Sequence, residues 1–284
     1  MHRLPRILLK LLAGLPLWVL HALGAALGWA VYGISPTYRR NLKANLALAG
    51  YADDARTRRA AIAAAGQMIA ETPAIWLRPQ AEVAALVREV TGLEAAMAEH
   101  GRGKALLLLT PHMGCFEVTA QFASQQLPIT VLYRAPKVGW LEPLMREGRG
   151  RGRVRLVPAD FSGVRELFTA LKRAEAVGFL PDQVPGVGEG EWADFFGRPA
   201  YTATLAPKLA RRADVVCFLA YARRLPRGAG YALVLRPLLE PVPGESDTRR
   251  LNRALEALVR ECPGQYLWGY NRYKTPRGAR PRAA

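Results

Sequence analysis

The chain has 284 residues, enough for one large domain with a small appendage and too few for two large ones. Half the residues are hydrophobic, which excludes wholesale disorder. The formal charge of +17 calls for a polyanionic partner: nucleic acid, an anionic membrane surface, or an acidic protein or substrate, among which charge alone does not choose.

The first element is an apolar run, Leu11 to Ile34, with no formally charged side chain. About 20 residues span a bilayer core as a helix, and Trp18, Trp29 and Tyr32 are aromatics of the kind found near headgroups. The run is longer than a typical secretory apolar segment and lacks a clear cleavage boundary. It is expected to be a membrane anchor over residues 1–36. A buried helix hairpin of a soluble domain, or a segment lying in the interface, stays open because Gly14, Pro16, Gly24 and Gly28 interrupt it. Both flanks are basic (Arg3, Arg6 and Lys10 before, Arg39, Arg40 and Lys43 after), so the positive-inside rule gives no orientation.

Tyr38–Ala49 has apolar residues at helical spacing opposite a basic face, and Thr57–Trp76 reads as an Ala-rich helix that Pro73 kinks or ends. From about residue 88 the pattern changes. Strands are expected at 88–91, 105–110, 130–133, 154–157, 177–180, 215–221 and 231–236. Helices are expected at 93–100, 115–126, 164–173, 202–212 and 247–261. This alternation predicts an α/β domain over residues 37–276, with a mostly parallel central sheet flanked by helices. The strand Ala105–Thr110 is apolar throughout, as a strand buried on both faces should be. The last residues, 277–284, form a basic, apolar-poor tail. Cys115, Cys217 and Cys262 contain no CxxC pair, so neither a zinc motif nor a disulfide framework is expected.

The chemistry concentrates in Lys104–Val118, KALLLLTPHMGCFEV. His112 follows the buried strand, at the carboxyl end where open α/β sheets place ligands. Glu117 falls in the first turn of the next helix, where its carboxylate is expected to reach the imidazole. It would hold one ring N–H, fix the tautomer and leave the other nitrogen free as a base. This is the histidine–carboxylate half of a hydrolase triad, sufficient when the substrate brings the hydroxyl. The alternatives are ordinary: a first-turn glutamate is favoured by the helix dipole, and a histidine after a strand can be a satisfied loop residue.

These residues, with their neighbours, resemble a known family. H-x4-[DE] is the signature of glycerolipid acyltransferases. The wider match is to the late acyltransferases of lipid A biosynthesis, the bacterial lauroyl and myristoyl transferases. It runs through RRNLKANL at Arg39–Leu46, GLEAAMAEHGRGKALLLLTPHMGCFE at Gly92–Glu117, YRAPK at Tyr133–Lys137, GFLPDQ at Gly178–Gln183, DFFGRPAYT at Asp194–Thr202 and QYLWGYNRYK at Gln265–Lys274. Where the family often has Asn-Trp, this chain has Cys115 and Phe116.

The resemblance implies an O-acyltransferase at the cytoplasmic side of the inner membrane. It would move a fatty acyl chain from acyl carrier protein to a hydroxyl of a lipid A precursor. His112 and Glu117 would be the catalytic pair, and backbone N–H groups at Gly114 and the helix start would serve the oxyanion. Arg134 would meet an acceptor phosphate, or be a surface charge. Asp182 and Gln183 would orient a substrate or active-site group, or form a turn after Pro181. Asp194, Phe195, Phe196 and Gly197 would frame an acyl pocket or anchor a loop. Trp268, Arg272 and Lys274 would line a headgroup site or form a basic edge strand. No cofactor and no metal are expected, since H-x4-E is not the two-histidine zinc motif and no Gly-rich phosphate loop follows a strand. Two other functions stay open: an acyltransferase for a lysophospholipid, ornithine lipid or other glycolipid, and a basic membrane or nucleic-acid binder without chemistry. The absence of any helix-turn-helix, zinc or RNA-binding signature argues against nucleic acid.

Overall fold

A computed structural model describes residues 3–136 and 138–279, with side chains from residue 7 onward. The basic tail beyond residue 279, Lys137 and the side chains of Arg3 and Arg6 lie outside the described residues. The N-terminal apolar run is two helices, α1 (Arg3–Gly14) and α2 (Leu17–Ile34). Pro16 causes the break: its fixed φ starts α2, while it pushes Leu15 out of helical conformation. Arg78 pins the corner, donating from Nε to the Ala13 carbonyl at 2.7 Å and from Nη2 to that of Leu15 at 2.5 Å.

Helices α3 (Pro36–Leu48) and α4 (Ala55–Leu77) follow. α4 continues past Pro73 to Leu77, because the hydrogen bond that proline removes leads to Ile69, at an exposed position in the preceding turn. α2 runs antiparallel along α4, and the two backbones nearly touch: a Cβ at Gly28 would strike the Ile62 carbonyl, and one at Gly66 the Gly24 carbonyl. The glycines that weaken α2 as a free helix are the ones that let it dock. Replacing Gly66 with valine is expected to cost about 3 kcal/mol, read as a fall of several degrees in Tm. An unchanged melting curve would mean the two helices do not cross so closely.

The α/β domain then unfolds as α5 (Gln80–Ala85), β1 (Val87–Thr91), α6 (Leu93–Gly101), β2 (Ala105–Leu109), α7 (Phe116–Gln126), β3 (Ile129–Tyr133), α8 (Leu141–Arg149), β4 (Val154–Pro158), α9 (Phe161–Lys172), β5 (Ala176–Phe179), β6 (Gly190–Phe195), β7 (Arg198–Ala203), α10 (Leu205–Ala210), β8 (Val215–Arg224), β9 (Tyr231–Pro237) and α11 (Asp247–Glu261). Seven strands form one sheet in the order β1-β9-β8-β2-β5-β3-β4. All its pairings are parallel except β8 with β9. The expected α/β class with a mostly parallel sheet is what is found.

β2 sits near the centre, and its sequence, ALLLL, is apolar on both faces for that reason. Leu107 and Leu109 enter the core on one face, Leu106 and Leu108 the core on the other. The expected helix 202–212 is found shortened, as α10, and before it lies an antiparallel hairpin, β6–β7, that the sequence pattern does not predict. The turn Phe196–Gly197, with both residues at positive φ, closes that hairpin.

Candidate functional site

Because β2, β3 and β5 run parallel, the loops that follow them emerge at one edge of the sheet. His112 comes after β2, Arg134 after β3, and Asp182 with Gln183 after β5. The tight turn at residues 112–114 depends on Gly114. Its φ is +57°, and a Cβ there would collide with the Ala222 carbonyl.

The imidazole of His112 is held by Asp182. Nδ1 lies 2.8 Å from Asp182 Oδ1, and the backbone N–H of His112 donates to Oδ2 at 2.9 Å. One carboxylate therefore fixes both the ring and the main chain of the same residue. Burial pushes the Asp182 carboxyl up, but the His112 charge and the hydrogen bonds from its ring and backbone outweigh that and hold it below the usual range. An ionised Asp182 is acceptor-only, so the ring donates from Nδ1, and the neutral ring presents a lone pair at Nε2. Gln183 Nε2 donates to that nitrogen at 3.1 Å. The His112 side chain keeps 17% of its exposure, so Nε2 is within reach of a substrate.

Glu117 is placed differently from the expectation. Its carboxylate receives two hydrogen bonds from Arg149, from Nε at 2.9 Å and from Nη2, and one from the Trp76 indole at 3.0 Å. The Arg149 guanidinium also lies over the Trp76 ring, 5.5 Å from its centroid. Glu117 faces this cluster because it follows the turn by most of a helical turn, which carries its side chain to the α4 and α8 side of α7. The carboxylate that orients His112 is Asp182, and Glu117 instead positions a cation. If that is the arrangement in solution, Glu117→Ala and Arg149→Ala each lower activity, and the double variant is no worse than either alone. Losses that add in the double variant would contradict it.

The Glu117–Arg149 cluster opens on an apolar cavity of about 950 Å³, counting its open mouth, which His112 and Asp182 do not line. It runs under α7 against the sheet, lined by Leu106, Leu108, Phe122, Ala123, Ile129 and Leu156 among others, and reaches Thr110, Phe116, Glu117 and Arg149 at the carboxyl edge of the sheet. Phe116 joins the two parts: it lines the cavity, and its ring meets that of His112 edge-on, centroids 5.0 Å apart.

The remaining expected residues divide. Arg134 is exposed in the loop after β3, at the same edge. Lys274 lies over the Tyr270 ring, 5.2 Å away, and the Tyr270 hydroxyl accepts from the Val184 N–H, which puts both beside Gln183. Arg272 is not free for a headgroup. It is buried and donates to the Tyr201 carbonyl and the Thr202 hydroxyl, both at 2.8 Å, tying the C-terminal segment to the β6–β7 hairpin. Asp194 to Gly197 belong to that hairpin and do not line the cavity. The Gly114 N–H is also committed, to the Gln265 carbonyl at 2.9 Å, and that of Cys115 to Ala222 at 2.8 Å, so neither serves an oxyanion. Among the described residues no cluster of metal-ligand side chains occurs.

Comparison with known proteins agrees with this arrangement of blocks. The family model for bacterial lipid A biosynthesis acyltransferase matches residues 4–275. The chain is 26% identical over 278 residues to the lipid A biosynthesis lauroyltransferase of Escherichia coli (strain K12), covering 94% of this chain and 89% of that one. It is 25% identical over 213 residues to the lipid A biosynthesis palmitoleoyltransferase of the same strain, covering 74% and 69%. A lipid A biosynthesis acyltransferase of Haemophilus influenzae is 27% identical over 190 residues, covering 63% of this chain and 57% of the relative. With its sheet, its histidine edge and nearly its whole length matched, the chain belongs to the bacterial lipid A biosynthesis acyltransferases.

Proposed function

We propose that the protein transfers a fatty acyl chain from acyl carrier protein to a hydroxyl of a lipid A precursor, with His112 as general base. The observation that supports this most is the imidazole, fixed by a buried carboxylate, packed on the Phe116 ring that walls an apolar cavity. Nε2 takes the proton of the acceptor hydroxyl as its oxygen attacks the thioester carbonyl. The tetrahedral intermediate collapses with loss of the carrier thiolate, which receives the proton back from the imidazolium. Asp182 keeps the productive tautomer and stabilises the transient imidazolium. Arg149, held by Glu117, supplies positive charge near the reacting carbonyl. The formal charge of +17 suits an acidic carrier protein and phosphorylated acceptor alike.

The test is acyl transfer by purified full-length protein, with labelled acyl-acyl-carrier protein and a lipid A precursor as substrates. Label is expected in the precursor, and none with His112→Ala. Transfer only to a lysophospholipid or an ornithine lipid would reassign the acceptor.

The cavity also predicts chain-length control. Gly178 leaves the sheet bare in the cavity floor, where a Cβ would meet Ile129 Cδ1 at 3.3 Å and Val131 Cγ2 at 3.7 Å. Gly178→Leu adds about four carbons of side chain to a close-packed wall. It should shift the preferred donor to shorter acyl chains in a competition assay with mixed donors. An unchanged preference would place the chain elsewhere.

A further inference from the structure

We propose that the α1–α2 hairpin is a monotopic membrane surface: α2 lies against one leaflet, with both of its ends on the same side, and does not cross the bilayer. The inference does not rest on the acyl-transfer chemistry. By length and composition alone α2 is the one described helix able to span. Its packing says otherwise. Leu17, Leu20, His21, Gly24 and Gly28 form a buried stripe along it. His21 Nε2 pairs with Glu71 of α4 at 2.9 Å, Gln67 Nε2 donates to the His21 carbonyl at 3.4 Å, and Gly24 and Gly28 touch the α4 backbone. Arg78 ties the corner just before α2 to the domain, and Arg39 donates to the Tyr32 and Gly33 carbonyls at the other end of α2. To span, α2 would have to shed all of this, or draw α4 with its Arg56, Arg58, Arg59 and Glu71 into hydrocarbon.

The opposite face carries no charge. Trp18, Leu23, Leu27, Trp29 and Ile34 are exposed there, and α1 adds Ile7, Leu8 and Leu11. So many exposed apolar side chains on two adjoining helices need an occupant. Their flanks select a lipid leaflet over a second copy. Lys10, Arg39, Arg40 and Lys43 flank α2 in sequence, and Arg39 lies 6.0 Å from the centre of the Tyr32 ring. Aromatic and basic flanks fit anionic phospholipid headgroups, whereas a symmetric dimer would bring like charges together.

The experiment places single cysteines at exposed positions on either side of α2, Lys10→Cys and Thr37→Cys, in the full chain. The unmodified chain gives the background from the native cysteines. Spheroplasts and inside-out membrane vesicles are treated with a membrane-impermeant maleimide. Both cysteines are expected to label from the same side. Labelling from opposite sides would show that α2 spans and overturn the proposal. In a second measurement the purified chain is floated with 3:1 phosphatidylethanolamine–phosphatidylglycerol vesicles. Trp18→Glu with Trp29→Glu should weaken binding by at least about ten-fold. Equal flotation of the variant, or an unmodified chain that stays unbound as a dimer, would also overturn it.

Discussion

Asp182→Asn is expected to lower the rate of acyl transfer by about a thousand-fold or more while leaving the fold intact. The carboxylate is 3% exposed and makes two contacts with His112, one to the ring and one to the backbone. An asparagine keeps the size but offers one acceptor oxygen, and its amide can donate to Nδ1. That stabilises the tautomer with the proton on Nε2, the wrong nitrogen for a base. Binding of acceptor and donor should change little, so the loss falls on kcat and not on KM. The double variant with His112→Ala should be no slower than His112→Ala alone, since the carboxylate acts only through the ring. Retention of most activity by Asp182→Asn would remove Asp182 from the mechanism.

Glu71→Ala is expected to be the most destabilising single change, at about 3–5 kcal/mol. Glu71 is almost wholly buried and accepts from Arg224 Nε at 2.9 Å, from the Tyr231 hydroxyl at 3.0 Å, and pairs with His21. Removing it strands the Arg224 cation in the interior. The same guanidinium donates to the Gly114 carbonyl at 2.9 Å, so the loop that carries His112 should loosen as well. Thermal melts of Glu71→Ala and of the double variant Glu71→Ala/Arg224→Met separate these effects. The double variant should recover part of the loss, because no unpaired charge remains.

Acid gives a second readout. Burial pushes the Glu71 carboxyl up, yet the Arg224 charge and the hydrogen bonds from His21 and Arg224 bring it down to about 2 from 4.5. A depressed carboxyl contributes its stability above the unfolded value and loses it as pH falls through the folded one. The stability gap between the unmodified chain and Glu71→Gln should therefore be constant above about 4.5 and shrink toward about 2. A gap that grows on acidification would mean the carboxyl is not held ionised.

The sheet was legible because its strands carry their burial openly: five apolar residues in a row at β2 fit only a strand covered on both faces. The β6–β7 hairpin was not, because GEWADF and RPAYTA alternate weakly and their turn lacks an Asn-Gly or Asp-Gly pair. For the site, His112 was legible from local pattern, since strand end, glycine turn and helix start are adjacent in sequence. Its partner was not. Glu117 is five residues away and Asp182 seventy, and only the parallel pairing of β2 with β5 brings the second one to the ring. The Asp-Gln pair after Pro181 was already suspect as an orienting group, but nothing local says what it orients. Arg149 gave no signal at all, being one arginine among several in α8 and its flanks. The glycines of α2 pulled in the opposite direction: counted against a spanning helix, they are better explained by the backbone contact with Gly66.

Nitrogen NMR of the imidazoles reads directly which carboxylate holds the ring of His112. In the full chain labelled with ¹⁵N-histidine, with the resonance assigned through His112→Ala, the neutral ring should be the Nδ1–H tautomer. It should stay so in Glu117→Gln and change in Asp182→Asn. A ring that is unaffected by Asp182→Asn and altered by Glu117→Gln would contradict the account and return the catalytic pair to His112 and Glu117.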